Sequence, residues 1–218
     1  MLTPGIDVSH FQGAVNWTQV ATGGMAFCFM KATEGTGIAD ACFGRNWAES
    51  SAAGLTRGAY HFGHPGLDAQ AQAQFFFNTV GPLAAGDLPP VLDIETLDQG
   101  SPDNALQWVL DFTAAADELF GRQTLIYTDN GFWQQLASLP GCEPLGARPL
   151  WLADYAANPA VPAPWQAWSC WQYSDDAVTG AGALPRVPGV NGAVDRNWFQ
   201  SVALQSLTSP STASQGLS

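Results

Sequence analysis

Short apolar runs alternate with amphipathic segments along the first two thirds of this chain, and that rhythm limits the fold more than any other feature. Strand-like runs recur at residues 4–9, 26–32, 57–63, 88–95, 123–128, 149–155, 167–173 and 192–195. Helix-like segments lie between the early ones. Segment 43–53 spaces Phe43, Trp47 and Ser50 along one face and stops at Gly54, a residue suited to the position after a helix. Segment 68–80 is rich in Ala and Gln. Segment 101–120 opens with Ser101 as N-cap, Pro102 in the first helical position and Asp103 in the first turn. Its Leu106, Val109, Leu110, Thr113 and Leu119 then form an apolar stripe. Strands alternating with helices make βα units and a parallel sheet, and eight strands suffice to close a barrel. The rhythm breaks late, where 156–165 is Pro/Ala-rich and 174–192 is Gly/Pro-rich. The expectation is an α/β fold, a TIM-like barrel whose last helices are reduced or missing, over residues 1–204. Residues 205–218 are polar and Ser/Thr-rich and read as a tail or the start of a linker.

Charge and composition exclude several functions. A net charge of −12 with seven Lys and Arg argues against nucleic acid, which is held by basic side chains on phosphate. No apolar run approaches the 18 residues of a membrane span. The start, MLTPGIDVS, has no basic n-region or apolar h-region, which fits release by another route or a leader already removed. Cys28, Cys42, Cys142 and Cys170 form no C-x-x-C, and the three His show no zinc spacing. Two disulfides are possible in an oxidising compartment, with three pairings; free buried thiols fit equally well. No G-x-S-x-G, P-loop, strand-linked G-x-G-x-x-G or H-E-x-x-H occurs, so no cofactor or metal is expected.

Acids stand where a parallel barrel gathers its chemistry, at the C-terminal ends of strands. In Val91-Leu92-Asp93-Ile94-Glu95 two carboxylates lie two residues apart within an apolar run. Alternation puts Asp93 and Glu95 on one side of a strand, their Cα atoms roughly 6–7 Å apart. Burial and like charge both oppose ionisation, and such pairs hold one acid protonated beside an ionised neighbour. Asp7 sits near the end of the first strand and Asp195 at the end of the last; closure makes those strands neighbours. Lys31 follows an apolar run and is suited to an ion pair with Glu34 or a barrel acid. Tyr60, His61 and His64 end the third strand. Tyr127, Asp154, Tyr155, Trp171, Gln172 and Tyr173 close later strands, where rings and amides could hold sugars.

With these residues laid out, the chain resembles the glycoside hydrolase family 25 lysozymes, the Chalaropsis-type N-acetylmuramidases. The matching segments are GIDVSHFQGAVNW (5–17), FMKATEG (29–35), GAYHFGHPG (58–66), LPPVLDIE (88–95), LWLADY (150–155), WSCWQYS (168–174) and GAVDRNWF (192–199). They run in order over all but the tail. Ile38 is a local departure, standing where a Phe, Tyr or Leu is more usual. The resemblance implies a (β/α)5(β)3 barrel and cleavage of the β-1,4 bond between N-acetylmuramic acid and N-acetylglucosamine in peptidoglycan. By position Glu95 matches the general acid, Asp93 the second carboxylate, and Asp7 and Asp195 the remaining acids of the site. The expected partner is peptidoglycan glycan, met at the cell wall by an extracellular or phage-released monomer.

The role of Asp93 stays open between nucleophile, base, and a group orienting the substrate's N-acetyl oxygen; the last is favoured because the D-x-E spacing resembles that of families that use the N-acetyl group. Two rival functions are a chitinase-like hydrolase of N-acetylglucosamine polymers and a silent barrel that only binds wall glycan. A wall peptidase or amidase is more distant.

Overall fold

The computed structural model describes residues 1–176 and 184–209. Nine strands and six helices follow one another as β1 (Leu2–Val8), α1 (Trp17–Thr22), β2 (Phe27–Glu34), β3 (Ile38–Ala39), α2 (Phe43–Ala52), β4 (Thr56–Phe62), α3 (Ala69–Val80), β5 (Val91–Asp93), α4 (Pro102–Phe120), β6 (Leu125–Asp129), α5 (Asn130–Trp133), β7 (Leu150–Ala153), β8 (Cys170–Ser174), β9 (Asp195–Gln200) and α6 (Ser201–Thr208). Eight strands run round the barrel as β1-β9-β8-β7-β6-β5-β4-β2, and β1 pairs with β2 to close it; β3 is a short hairpin partner of β2. The expected TIM-like barrel is therefore observed. Helices cover the strands through β6, α5 is a single turn, and 154–169 connects β7 to β8 without a helix.

The helices form where their caps stand. Asp68 accepts from Ala71 N at the start of α3, and Ser101 accepts from Asn104 N ahead of Pro102 in α4. Gly54, after α2, has φ +82°, a conformation that favours glycine.

Three expectations need correction. The last strand is not 192–195 but Asp195–Gln200, and it runs antiparallel to both neighbours, β1 and β8. Asp195 therefore begins that strand, and the reversal is what brings it to the mouth opposite Asp7. Strand β5 is three residues long. Pro89 and Pro90 have no N–H for the ladder, and past Asp93 the chain bends away, leaving Glu95 on the loop beyond the strand. Residues 205–208, expected in the tail, complete α6, whose Ala203, Leu204 and Leu207 pack against the barrel interior. Arg122 also donates to Leu207 O, tying α6 across the lower end. Residues 210–218 lie outside the described residues.

Strand parity sorts the core into two layers. Ile6, Val8, Cys28, Met30, Leu92, Ile94, Ile126 and Leu152 point outward against Trp17, Phe43, Phe76, Trp108 and Phe112 of the helices. Phe27, Phe29, Leu88, Val91, Leu125, Trp151, Cys170 and Phe199 fill the interior, with Tyr60 and Tyr127 above them. The rings fit because glycines face them. A Cβ on Gly5 would lie 2.5 Å from the Phe27 ring, and one on Gly58 2.5 Å from the Phe29 ring and 3.0 Å from Leu88. All four cysteines are free.

Gly58→Ala is expected to destabilise the barrel by about 1–3 kcal/mol through overpacking, with partial recovery when Phe29→Leu is added. Denaturant unfolding of the single and double variants measures this. A Gly58→Ala protein as stable as the parent would contradict the packing.

Candidate active site

Above the ring floor, the inward positions turn polar. One cavity at the C-terminal end of the parallel strands is lined by Asp7, Asp93, Glu95 and Asp195, with Lys31, Tyr60, Tyr127, Trp151, Tyr155 and Gln172 among its walls. Register accounts for the convergence. Asp7 stands opposite Asp195, Asp93 opposite Tyr127, Lys31 opposite Tyr60, and Gln172 opposite Asn197.

Asp7 is held most tightly. Its Oδ2 accepts from Asn197 Nδ2 at 2.7 Å and from Gln172 Nε2 at 3.0 Å. Both amides are themselves locked. Trp151 Nε1 donates to Asn197 Oδ1 at 2.7 Å, and the hydroxyls of Tyr127 and Tyr155 donate to Gln172 Oε1 at 3.0 and 3.1 Å. These donors stabilise negative charge on Asp7, while burial, the larger effect, raises its pKa. Asp195 is raised too, by burial first and then by the charge of Asp7, with which it shares a hydrogen bond. The amide donors favour the charged form of Asp7, so of the two carboxyls Asp195 is raised further, to about 8 against about 6.

Asp93 is 7% exposed and its Oδ1 has no hydrogen-bond partner. Burial, then the charge of Glu95, holds its carboxyl well above the usual carboxylate range. Glu95 is also raised, by partial burial first and then by Asp129 and Asp7. Lys31 pulls both acids the other way. It is the one Lys or Arg among the cavity-lining residues, with Nζ 2.6 Å from Glu34 Oε2 and 4.8 Å from the Phe62 ring centre. The expected ion pair with Glu34 is therefore present.

Other expected groups lie elsewhere. His61 is fully buried on the outer face, its Nε2 3.0 Å from Gln72 Oε1 and its Nδ1 2.8 Å from the Thr33 hydroxyl; burial lowers its pKa to about 4 and keeps it neutral. His64 bridges Asp98 and Glu34 at 2.8 and 3.2 Å. Asp154 and Trp171 are not among the cavity-lining residues. Asp154 accepts from Ala156 N and Ala160 N, both at 2.9 Å, fixing the loop that carries Tyr155. Trp171 has the opposite parity to Gln172; it donates to Asp154 O at 2.5 Å and packs on Trp168 and Tyr173 outside the barrel. Trp151, Asn197 and Phe11 stand at or beside the site without a local sequence signal that singled them out, and Asp129 stands beside it as well. Asp129 ends β6, so the strand-end rule that selected the other acids applies to it equally.

The buried acids oppose folding at neutral pH, Asp93 among them. An unfolded Asp ionises near pH 4. Above that pH the folded protein retains a proton that the unfolded chain has lost, so stability falls as pH rises. Asp93→Asn removes this penalty. The variant is expected to melt higher than the parent at pH 7, by roughly 2–4 °C for each kcal/mol recovered, with the gap closing toward pH 4. A variant melting lower at pH 7 would contradict the state assigned to Asp93.

Comparison with known proteins agrees with this geometry. The profile of glycosyl hydrolases family 25 matches residues 6–181. The chain is 37% identical over 214 residues to Lysozyme M1 of Streptomyces globisporus, covering 93% of this chain and 69% of that protein. It is 29% identical over 205 residues to the N,O-diacetylmuramidase of Chalaropsis sp, covering 88% and 95%. Its fold superposes on the crystal structure of a bacterial lysozyme from Streptomyces coelicolor with a TM-score of 0.84 at 35% identity, over 94% of this chain and 97% of that one. With an acid-lined barrel mouth and a family match over most of its length, the chain belongs to glycosyl hydrolases family 25 and is a glycosidase.

Proposed function

We propose that this protein is an N-acetylmuramidase that hydrolyses the β-1,4 bond between N-acetylmuramic acid and N-acetylglucosamine in peptidoglycan. It acts as a monomer at the cell wall, after secretion or phage-mediated release. The observation that carries the mechanism is the unpartnered Oδ1 of buried Asp93 in the same cavity as the raised acid Glu95. Relatives named lysozyme and N,O-diacetylmuramidase support the substrate.

Glu95 is the general acid. Partial burial, then the charges of Asp129 and Asp7, raise its pKa and favour the proton it must donate, and its position on the loop past β5 leaves it open to a bound glycan. Burial raises the pKa of Asp93 well above the usual carboxylate range, which favours its protonated form, a weak nucleophile or base. Its free oxygen is instead placed for the N–H of an acetamido group. Holding that N–H turns the acetamido carbonyl oxygen toward the anomeric carbon. As Glu95 gives its proton to the departing glycosidic oxygen, the acetamido oxygen closes on that carbon. The resulting cation lies beside Asp93. Glu95, now a carboxylate, takes a proton from water, which opens the ring with net retention. Asp7 and Asp195 line the wall of the same cavity, where their shared charge favours the developing cation.

Glu95→Gln is expected to fold normally and to lose about 10²–10⁴-fold in turnover of purified bacterial walls. The parent's activity peaks at mildly acidic pH and declines on the alkaline side as Glu95 loses its proton. Near-normal turnover in the variant, or an alkaline optimum in the parent, would sink the assignment. Release of N-acetylmuramic acid reducing ends from walls, with little cleavage of chitin, separates this activity from a chitinase.

A further inference from the structure

Phe11 is an apolar ring left in water. Of nine Trp, four Tyr and twelve Phe, only Phe11 and Tyr155 are exposed, at 81% and 55%. Both line the cavity that holds the four acids. An isolated exposed apolar side chain is ordinary, so exposure by itself decides nothing. Two other observations distinguish this ring.

The first is its fixed backbone. Phe11 lies in a one-turn 3-10 helix, His10–Gln12, closed by a reciprocal pair between Ser9 and Gln12. Its neighbour His10 is anchored through both the backbone N and Nδ1 to Oδ2 of buried Asp40, at 2.9 and 2.8 Å. On the other side Gln12 Nε2 donates to Ala193 O at 3.3 Å. The lip is thus tied to the segment ahead of α2 and to the approach to β9.

The second is its place round the barrel. Phe11 follows β1, three strands from β5 by way of β2 and β4; Tyr155 follows β7, two strands from β5 in the opposite sense. Glu95, just past β5, lies between them. Tyr155 is also fixed, through its hydroxyl on Gln172.

We propose that Phe11 is a stacking platform for a sugar of the bound glycan, on the far side of the cleavage point from a sugar held against Tyr155. The assignment rests on the muramidase reading. The ligand class is a β-1,4-linked N-acetylhexosamine strand. Its equatorial substituents leave axial C–H groups on each pyranose face, an apolar surface that packs on an aromatic ring. A platform already rigid in the free protein loses little freedom on binding. Stacking of this kind binds ground state and transition state alike, so its removal acts on KM.

The test uses peptide-free glycan strands prepared from peptidoglycan. Calorimetry compares their binding to Glu95→Gln and to Glu95→Gln/Phe11→Ala, and initial rates compare the parent, Phe11→Ala and Phe11→Trp. Affinity is expected to fall and KM to rise roughly threefold to tenfold on loss of the ring. In Phe11→Ala kcat should stay within about twofold of the parent, and Phe11→Trp should restore KM. Equal affinity with and without the ring overturns the platform, whether or not the strands are cleaved. Failure of the parent to cleave them, with the affinity difference intact, overturns the muramidase reading and leaves the platform standing.

Discussion

The structure depends on how β1 is paired. It lies parallel to β2 on one side and antiparallel to β9 on the other, so the ring of eight strands closes, with, among the described strands, only the two-residue β3 outside it. The antiparallel joint has a chemical consequence. In an all-parallel ring the start of a strand lies at the opposite end from the site. Reversal of β9 brings its first residue, Asp195, to the mouth, opposite Asp7. Two carboxyls then face each other across one ladder, joined by a hydrogen bond and both raised by burial.

Keeping four acids in one cavity is unfavourable, and two features offset it. Below the acids, the interior is filled by Phe27, Phe29, Val91, Leu125, Trp151 and Phe199; a large apolar side chain contributes about 1.5–3 kcal/mol on full burial. Around them, hydrogen bonds fix the amides so that donors face Asp7 and acceptors face Trp151, Tyr127 and Tyr155. Asp93 receives no such help at Oδ1. That asymmetry separates the two: hydrogen-bond donors favour the charged form of Asp7, whereas burial without a partner at Oδ1 raises Asp93 well above the usual carboxylate range.

Much of this was readable from the chain, and the failures have physical causes. The helices of 68–80 and 101–120 open on their own capping side chains, and that of 43–53 stops at Gly54, so local chemistry placed them within a residue or two. Strand β9 was misplaced because Asp195-Arg196-Asn197 lacks an apolar alternation; Arg196 is buried by pairing with Asp176 rather than by being apolar. Asp195 was thus assigned to the right mouth with the strand direction reversed. Asn197 went unseen for the same reason. Trp151 lines the cavity and the expected Trp171 does not, because the inward parity of a strand rests on a one-residue register. The hub at Gln172 involves residues up to 165 positions apart, beyond any local pattern. Phe11 sat within a quoted motif, but nothing in a sequence distinguishes an exposed ring from a core ring.

The central claim of the proposed mechanism is that Asp93, buried and with one free oxygen, orients the substrate's own acetamido group instead of activating water for direct displacement. Proton NMR of the first product formed from a soluble glycan, recorded before mutarotation, tests this most directly. The account predicts a reducing-end sugar released as the β anomer. Release of the α anomer would mean inversion by water and would contradict it.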